Sequence, residues 1–569
     1  MFRIRLAWLA GIFIMIPLIS CASVSSFQSP PEKDVEAGIV SGNAAYHYCL
    51  GVIHVLEGNL DSAVTEYEAA LKHDPDSISV ALELAGLYVR KGRIDQAISV
   101  AEKTVLSNPD SADAHYFLGR LYLDSRKFDQ AEKEFLKTIE QSPANPEPYL
   151  YLGLLYGEEK KFEKATAALQ TLLTKDPGNI LGHYYLGKLY ADMKQYAEAE
   201  KWLKKTIELK PSFESAWIEL GSVYESQNRI QDVTETYLKF LERYPGRLET
   251  GIRLAKFYMK NRQYDEAAGL LERISKLSPL NREVRLTLAA VYTLQKGRAV
   301  QAISVCQNLL KEDPLDYKAR YLLGAAYQEN KQHREAMEEF KRIPVQSDFY
   351  ADSRIQIGTI LKKEGKPEEA IRLIQEDLSR KKDEVVLYAF LASLYQEKKD
   401  FQAAERTLKQ GIALSPENIE LRYRLGALYE MTDRFSEGIK EMEEVLKIDP
   451  DHSEALNFIG YSYADRGIKL DIAEAFIRKA LALRPGNGYI TDSLGWLYFK
   501  KGDLGSAEKY LKEAVRLVPD DPLIIEHLGD VYEKMGGHDQ ALETYQRALK
   551  LNPDSESLQQ KINRLRKTP

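Results

Sequence analysis

Cysteine is almost missing from this chain: Cys21, Cys49 and Cys306 are the three in 569 residues. That is too few for a disulfide framework or a Cys-rich zinc site. A basic excess is missing too. Lys and Arg number 78 against 85 Asp and Glu, a net charge of -7, so the electrostatic footprint of nucleic-acid binding is lacking. No apolar stretch reaches the roughly 20 residues that a membrane-spanning helix needs. No GxxxxGK[ST], HExxH or GxSxG occurs, nor a GxGxxG following a strand, so the common phosphate, metalloprotease and hydrolase sites have no sequence support. Hydrophobic residues make up 44% and charged residues 29%, which excludes general disorder. Tyrosine is abundant, 34 residues against 18 Phe and 4 Trp, and that bias asks for a structural cause.

The first residues read as an address. Arg3 and Arg5 precede the apolar stretch Leu6–Ile19, which Pro17 interrupts and which is too short for a permanent anchor. Leu18-Ile19-Ser20-Cys21 resembles a bacterial lipobox. The resemblance implies that residues 1–20 are a lipoprotein signal peptide and that Cys21 becomes a lipid-bearing N-terminus. One acyl chain anchors only marginally, and lipoproteins of this kind usually carry three. Ala22 and Ser23 are not the acidic pair linked with inner-membrane retention, so the resemblance implies the periplasmic face of the outer membrane of a Gram-negative bacterium. Residues 21–43, rich in Ser, Pro and Gly at first, read as a tether.

A period of 34 residues fills the rest. A small residue recurs at Gly51, Ala85, Gly119, Gly153, Gly187, Gly221, Ala255 and Ala289, and on through Gly324, Gly358, Ala392, Gly426, Gly460, Gly495 and Gly529. Tyr follows three residues later in every unit except those of His54 and Leu361. Ala stands twelve residues after the anchor in most units, and a Pro such as Pro75, Pro109 or Pro143 closes most of them. This pattern resembles the tetratricopeptide repeat over residues 44 to about 555.

Physics points the same way without the name. Each unit holds two amphipathic stretches with apolar spacings of three and four, as in residues 149–173, separated by a polar turn such as Glu158-Glu159-Lys160-Lys161. Gly or Ala permits close helix approach, Tyr fills the gap beside it, and Pro stops the second helix. No unit buries its apolar face alone, so the units stack. The expected fold is all-α: a solenoid of about fifteen helix-turn-helix repeats in a right-handed superhelix, divided as repeats 1–9 (residues 44–350) and 10–15 (residues 351–555). Residues 556–569 are expected to cap the last unit, through Leu558, Ile562 and Leu565. Early Pro344 and the missing closing Pro of unit ten predict a shortened helix and an irregularity near 340–385, as a hinge, a change of curvature or simple repeat drift.

Catalytic candidates are scarce. His47, Cys49 and His54 share the first unit without further ligands at metal spacing. Cys49 and Cys306 are expected to be reduced and buried. No enzyme, cofactor, metal or small-molecule substrate is expected.

Proteins resembling this array bind an extended peptide or partner helix along the first helix of each unit. The resemblance points to the side chains six and three residues before the small anchor and one, four and five residues after it. One family subset grips a terminal carboxylate with Lys three before the anchor; that position is never Lys here. Arg120, Lys188 and Lys256 follow their anchors, with Asp113, Glu147 and Glu249 nearby in the pattern, so the wall alternates in charge, either to steer a charged partner or simply to keep the surface soluble. Units thirteen and fourteen place Asn457, Tyr461, Asp465, Asp492, Trp496 and Lys500 on it, with Tyr489 and Phe499 alongside. Aromatics among Asn and Asp make a good peptide-holding surface; the alternative is that Trp496 packs under the neighbouring helix.

Residues 458–481 and 488–515 also resemble units of Gram-negative TPR lipoproteins, some of which are outer-membrane adaptors that hold a carboxy-terminal processing protease near cell-wall hydrolases. The expected function is a lipid-anchored, non-enzymatic scaffold that binds protein or peptide partners. The alternatives are an assembly factor for pili, secretion or exopolysaccharide export, or the substrate-binding arm of an enzyme.

Overall fold

The computed structural model describes residues 43–567. The signal peptide, Cys21 and most of the tether lie outside the described residues. Thirty-one α-helices and no strand occur among the described residues. Helices α1–α30 form fifteen consecutive hairpins, with the odd-numbered helix first, and α31 (Glu556–Lys567) follows them. The chain divides into two compact units, one ending at Pro245 and one starting at Gly246.

Local chemistry sets the helix ends. Asn43 and Asn179 accept from the backbone N–H of Tyr46 and Gly182, at 2.8 and 2.9 Å, satisfying N–H groups that a first turn leaves unpaired. Helix α8 (Phe162–Lys175) stops just before Pro177, and the other second helices except α18 stop at about the same place in the period. The turn inside each hairpin needs one left-handed residue. Gly502 supplies it at φ 82°, but Arg126 and Lys160 adopt it at φ 58° and 57°, where a side chain is strained.

The small anchors have a specific packing cause. A Cβ on Gly529 would come 2.5 Å from the Tyr545 ring, and one on Gly119 would come 2.9 Å from Phe135. Gly495 meets Leu511 in the same way, at 2.6 Å. Each of these three glycines thus receives a large side chain sixteen residues later, from the second helix of its own hairpin. Where the anchor is Ala85, the residue at that offset is the small Ala101. Volume is conserved across that pair, as close packing favours, although Ala255 and Ala392 have Leu271 and Leu408 at the same offset.

The recurrent tyrosine ties one hairpin to the previous one. The Tyr122 hydroxyl donates to Glu102 at 2.6 Å, Tyr156 to Glu132 at 2.6 Å and Tyr498 to Glu474 at 2.7 Å. In several units a cation closes the clasp: Arg434 lies 4.3 Å from the Tyr429 ring centre and pairs with Glu405 at 2.5 Å. The tyrosine excess therefore has a structural role, and its hydroxyl seeks a carboxylate rather than only water.

The irregular stretch also has a cause. Helix α18 (His333–Lys341) has nine residues where other second helices have fourteen. Buried Arg354, on α19 (Tyr350–Lys363), donates to the Ile343 carbonyl at 3.1 Å and the Phe340 carbonyl at 3.4 Å. It replaces the partners that a last turn would have supplied. Its guanidinium lies over the Tyr350 ring at 4.5 Å, and Tyr350 donates to Asp377 at 2.6 Å. Burial pushes the Asp377 carboxyl above the usual range.

At the C-terminus Leu558, Ile562 and Leu565 of α31 are buried against the last hairpin. One expectation fails: Cys49 is exposed, while Cys306 is buried as expected. Cys49 lies in the first hairpin, where the described residues include no earlier second helix to cover that face.

Candidate functional site: the inward wall of the first helices

The site follows from how hairpins stack. In the first compact unit the first helices are α1 (Ala44–Leu56), α3 (Ile78–Arg90), α5 (Ala112–Asp124), α7 (Glu147–Glu158), α9 (Ile180–Asp192) and α11 (Glu214–Ser226). From α3 to α11 each touches the next directly, whereas no two successive second helices of this unit meet as closely. The unit therefore curves toward its first helices, whose free faces form its inner wall. The second unit repeats this with α13 (Leu248–Lys260), α15 (Arg282–Leu294), α25 (Ser453–Asp465), α27 (Gly488–Lys501) and α29 (Pro522–Lys534), among others.

In the first unit, Arg120 lies 5.7 and 5.3 Å from the ring centres of Tyr116 and Tyr151. Asp124 stands one turn later on the same helix. Burial raises its carboxyl above the usual range, and the Arg120 charge opposes that rise. The same arrangement recurs on α9: burial raises Asp192, and Lys188 opposes it. In the second unit Lys256 is exposed and pairs with Glu283 of α15 at 3.2 Å.

Units thirteen and fourteen bring most of their expected residues into one cluster. Trp496 is only 8% exposed. Its ring stacks on Phe499 at 4.8 Å and on His527 of α29 at 4.1 Å, and Lys500 lies 5.0 Å from its centre. Its indole N–H donates to Asp465 Oδ1 at 3.0 Å. Lys500 donates to the Asp465 carbonyl at 2.6 Å and so links α27 to α25. Buried Asp492 meets His527 Nδ1 at 2.9 Å. Tyr461 is half-buried, and its hydroxyl is raised above the ordinary range first by burial and then by Asp465, Asp492 and Glu430. Asn457 is half-buried, with a buried Oδ1 that no donor reaches. Tyr489, two turns before Trp496 on α27, is 58% exposed.

These contacts give Trp496 and Asp492 packing partners, so the parts of this wall open to a partner are Tyr489, Asp465 and the partly exposed Tyr461, Phe499 and Lys500. The sequence reading missed His527, which supplies both the Asp492 partner and the platform under Trp496. Its one sequence signal was a lone imidazole two residues before the anchor Gly529.

Chemically the walls offer rings, carboxylates and cations to a chain laid across them. Among the described residues no group of three or more His, Cys, Asp or Glu side chains could hold a metal ion, and no helix is long and apolar enough to cross a membrane.

Known proteins show the same pattern. Tetratricopeptide repeat models match residues 44–77, 82–146, 158–220, 252–307, 293–357, 395–459, 459–522 and 498–565. A TPR repeat-containing protein of Pseudomonas aeruginosa is 28% identical over 190 residues, 33% of this chain and 32% of the relative. The chain thus spans about a third of that relative's length. Among solved structures, yeast Tom70 aligns over 80% of this chain and 95% of its own, at 16% identity and a TM-score of 0.37. A tetratricopeptide repeat protein from Parabacteroides merdae aligns over 44% and 98%, at 17% identity and a TM-score of 0.37. With hairpins, small anchors and tyrosine ties in the same register as these repeat matches along most of its length, the chain belongs to the tetratricopeptide repeat family.

Proposed function

We propose that this chain is a non-enzymatic scaffold that holds protein or peptide partners along the inward wall of its first helices. The observation that carries this reading is the wall itself: anchors, tyrosines and closing prolines are consumed by packing, while side chains such as Arg120, Lys256, Asp465 and Tyr489 reach it without being part of the core. An array of repeats that each touch only their neighbours makes an extended surface of this kind. Repeat arrays of this family generally bind proteins or peptides rather than perform chemistry.

The lipid on Cys21 is the second part of the proposal. It would hold the array at the periplasmic face of the outer membrane. A partner bound there shares a surface with its substrates, which raises their effective concentration without new chemistry. A processing protease and its cell-wall hydrolase substrates fit this scheme, as the resemblance of residues 458–515 suggests.

Crosslinking in cells, followed by affinity purification of the lipidated chain and mass spectrometry, tests the reading. A partner crosslinked to photoreactive groups at Tyr489 or Arg120 supports it. Crosslinks confined to the outward second helices would move the binding surface elsewhere.

A further inference from the structure

We infer that the inward wall of the first compact unit takes an extended, Lys- or Arg-bearing segment of a partner. The inference rests on the partner-binding reading of that wall and adds the chemistry of its occupant.

The two compact units treat their inward acids differently. In the second unit most of these carboxylates are matched from within, with Glu249, Glu329 and Asp352 the exceptions among the described residues. Glu283 pairs with Lys256 at 3.2 Å, Glu397 with Lys362 at 2.9 Å, Glu430 with Arg466 at 2.8 Å, and Asp530 with Lys561 at 2.5 Å. In the first unit the five inward positions of its six hairpins carry six acidic side chains, Asp113, Asp124, Glu147, Glu158, Asp192 and Glu225, against three basic ones. Among the described residues none of these six forms an ion pair within 4 Å, although Glu147 accepts from the Tyr116 hydroxyl and the charges of Arg120 and Lys188 oppose the rise of Asp124 and Asp192.

Glu83 adds a carboxylate beside this face, near the inward Tyr48. It is half-buried on α3, no hydrogen bond or ion pair reaches it among the described residues, and its charge acts on Tyr48 and Tyr67 beside it. Burial raises the carboxyls of Glu83, Asp124 and Asp192. Asp124 and Asp192 nevertheless remain reachable from solvent. Carboxylates that are desolvated yet accessible are under-compensated charges, and a cation laid beside them recovers part of the lost solvation. The spacing also suits an extended occupant. Asp124 and Asp192 occupy the same position two repeats apart, so they recur along the wall rather than crowding at one spot. Tyr151 stands on α7, the first helix between them, with the Arg120 guanidinium 5.3 Å from its ring centre. An acidic peptide would meet this wall unfavourably.

The test uses the full chain and three labelled fourteen-residue peptides: alternating Lys-Ala, alternating Glu-Ala and alternating Ser-Ala. Fluorescence anisotropy should detect binding of the Lys-Ala peptide, weakening as salt rises. The triple variant Glu83→Gln, Asp124→Asn, Asp192→Asn should bind it at least about tenfold more weakly. The same variant should melt at a higher temperature than the parent, because it removes desolvated charge; this separates loss of binding from loss of folding. Binding of the Glu-Ala or Ser-Ala peptide in preference to Lys-Ala, or unchanged Lys-Ala binding by the triple variant, would overturn the cationic occupant and leave the partner-binding reading intact. Lack of binding by all three would also overturn it, while crosslinking in cells decides the broader reading separately.

Discussion

Trp496→Ala is the sharpest test of how this array is built. The indole is 8% exposed and is held by Phe499 at 4.8 Å, His527 at 4.1 Å, Lys500 at 5.0 Å and the Asp465 carboxylate at 3.0 Å. Removing a buried Trp side chain costs about 3–5 kcal/mol through lost transfer and cavity formation. The stacked neighbours add about 0.5–1.5 kcal/mol for each aromatic pair. Asp465 is exposed, so losing its N–H donor costs little; Asp492 and His527 are buried and keep each other. The loss should therefore be about 3–5 kcal/mol, local to units thirteen to fifteen. Because repeats are coupled mainly to neighbours, the chain should unfold in two steps, with α25–α31 melting first. Circular dichroism melts and hydrogen exchange would show early loss of protection there and none in α1–α12. Tyr489→Ala, at a 58% exposed position, should leave the melt almost unchanged. A Trp496→Ala chain that melts like the parent while losing a partner would refute the packing argument and make the ring a binding hot spot.

Three further outcomes follow from the same contacts. Gly529→Ala places a methyl 2.5 Å from the Tyr545 ring and should destabilise the last hairpin by about 1–3 kcal/mol, read from urea midpoints; Gly246→Ala, with open space around it, should not. Glu405 and Glu474 are each held down to about 2, by hydrogen bonds from Arg434 and Lys501 first. A carboxyl whose folded pKa is depressed stabilises the fold above its unfolded pKa and loses that contribution as pH falls toward the folded value. The melting temperature should therefore fall between about pH 4.5 and 2, and Arg434→Gln should flatten part of that fall, which acid titration by calorimetry would reveal. Cys21→Ser should abolish lipid labelling and release the chain from membrane pellets; continued pelleting would refute the anchor.

Much of this molecule is legible residue by residue. The period, the helix pairs and the C-terminal cap follow from spacing alone, because a helix that must bury one face displays its apolar residues at three and four. The nine-residue α18 was foreshadowed by Pro344, since a proline beyond the first turn lacks the N–H that a continuing helix needs. The repair by Arg354 was not, because it depends on a guanidinium eleven and fourteen residues away from the carbonyls it satisfies. The glutamates that accept from the recurrent tyrosines were equally hidden: they sit twenty to twenty-four residues earlier, at positions that read as solvated charge.

By itself the amino-acid order determined the repeat, its length and the side of each helix that is buried, since those depend on neighbours within one or two turns. Only the tertiary structure decided which inward charges are matched and which are left alone. Lys256 finds Glu283 in the next hairpin, Asp492 finds His527, and Glu83 finds no partner, because each such meeting depends on side-chain reach across a packed interface rather than on position in the chain.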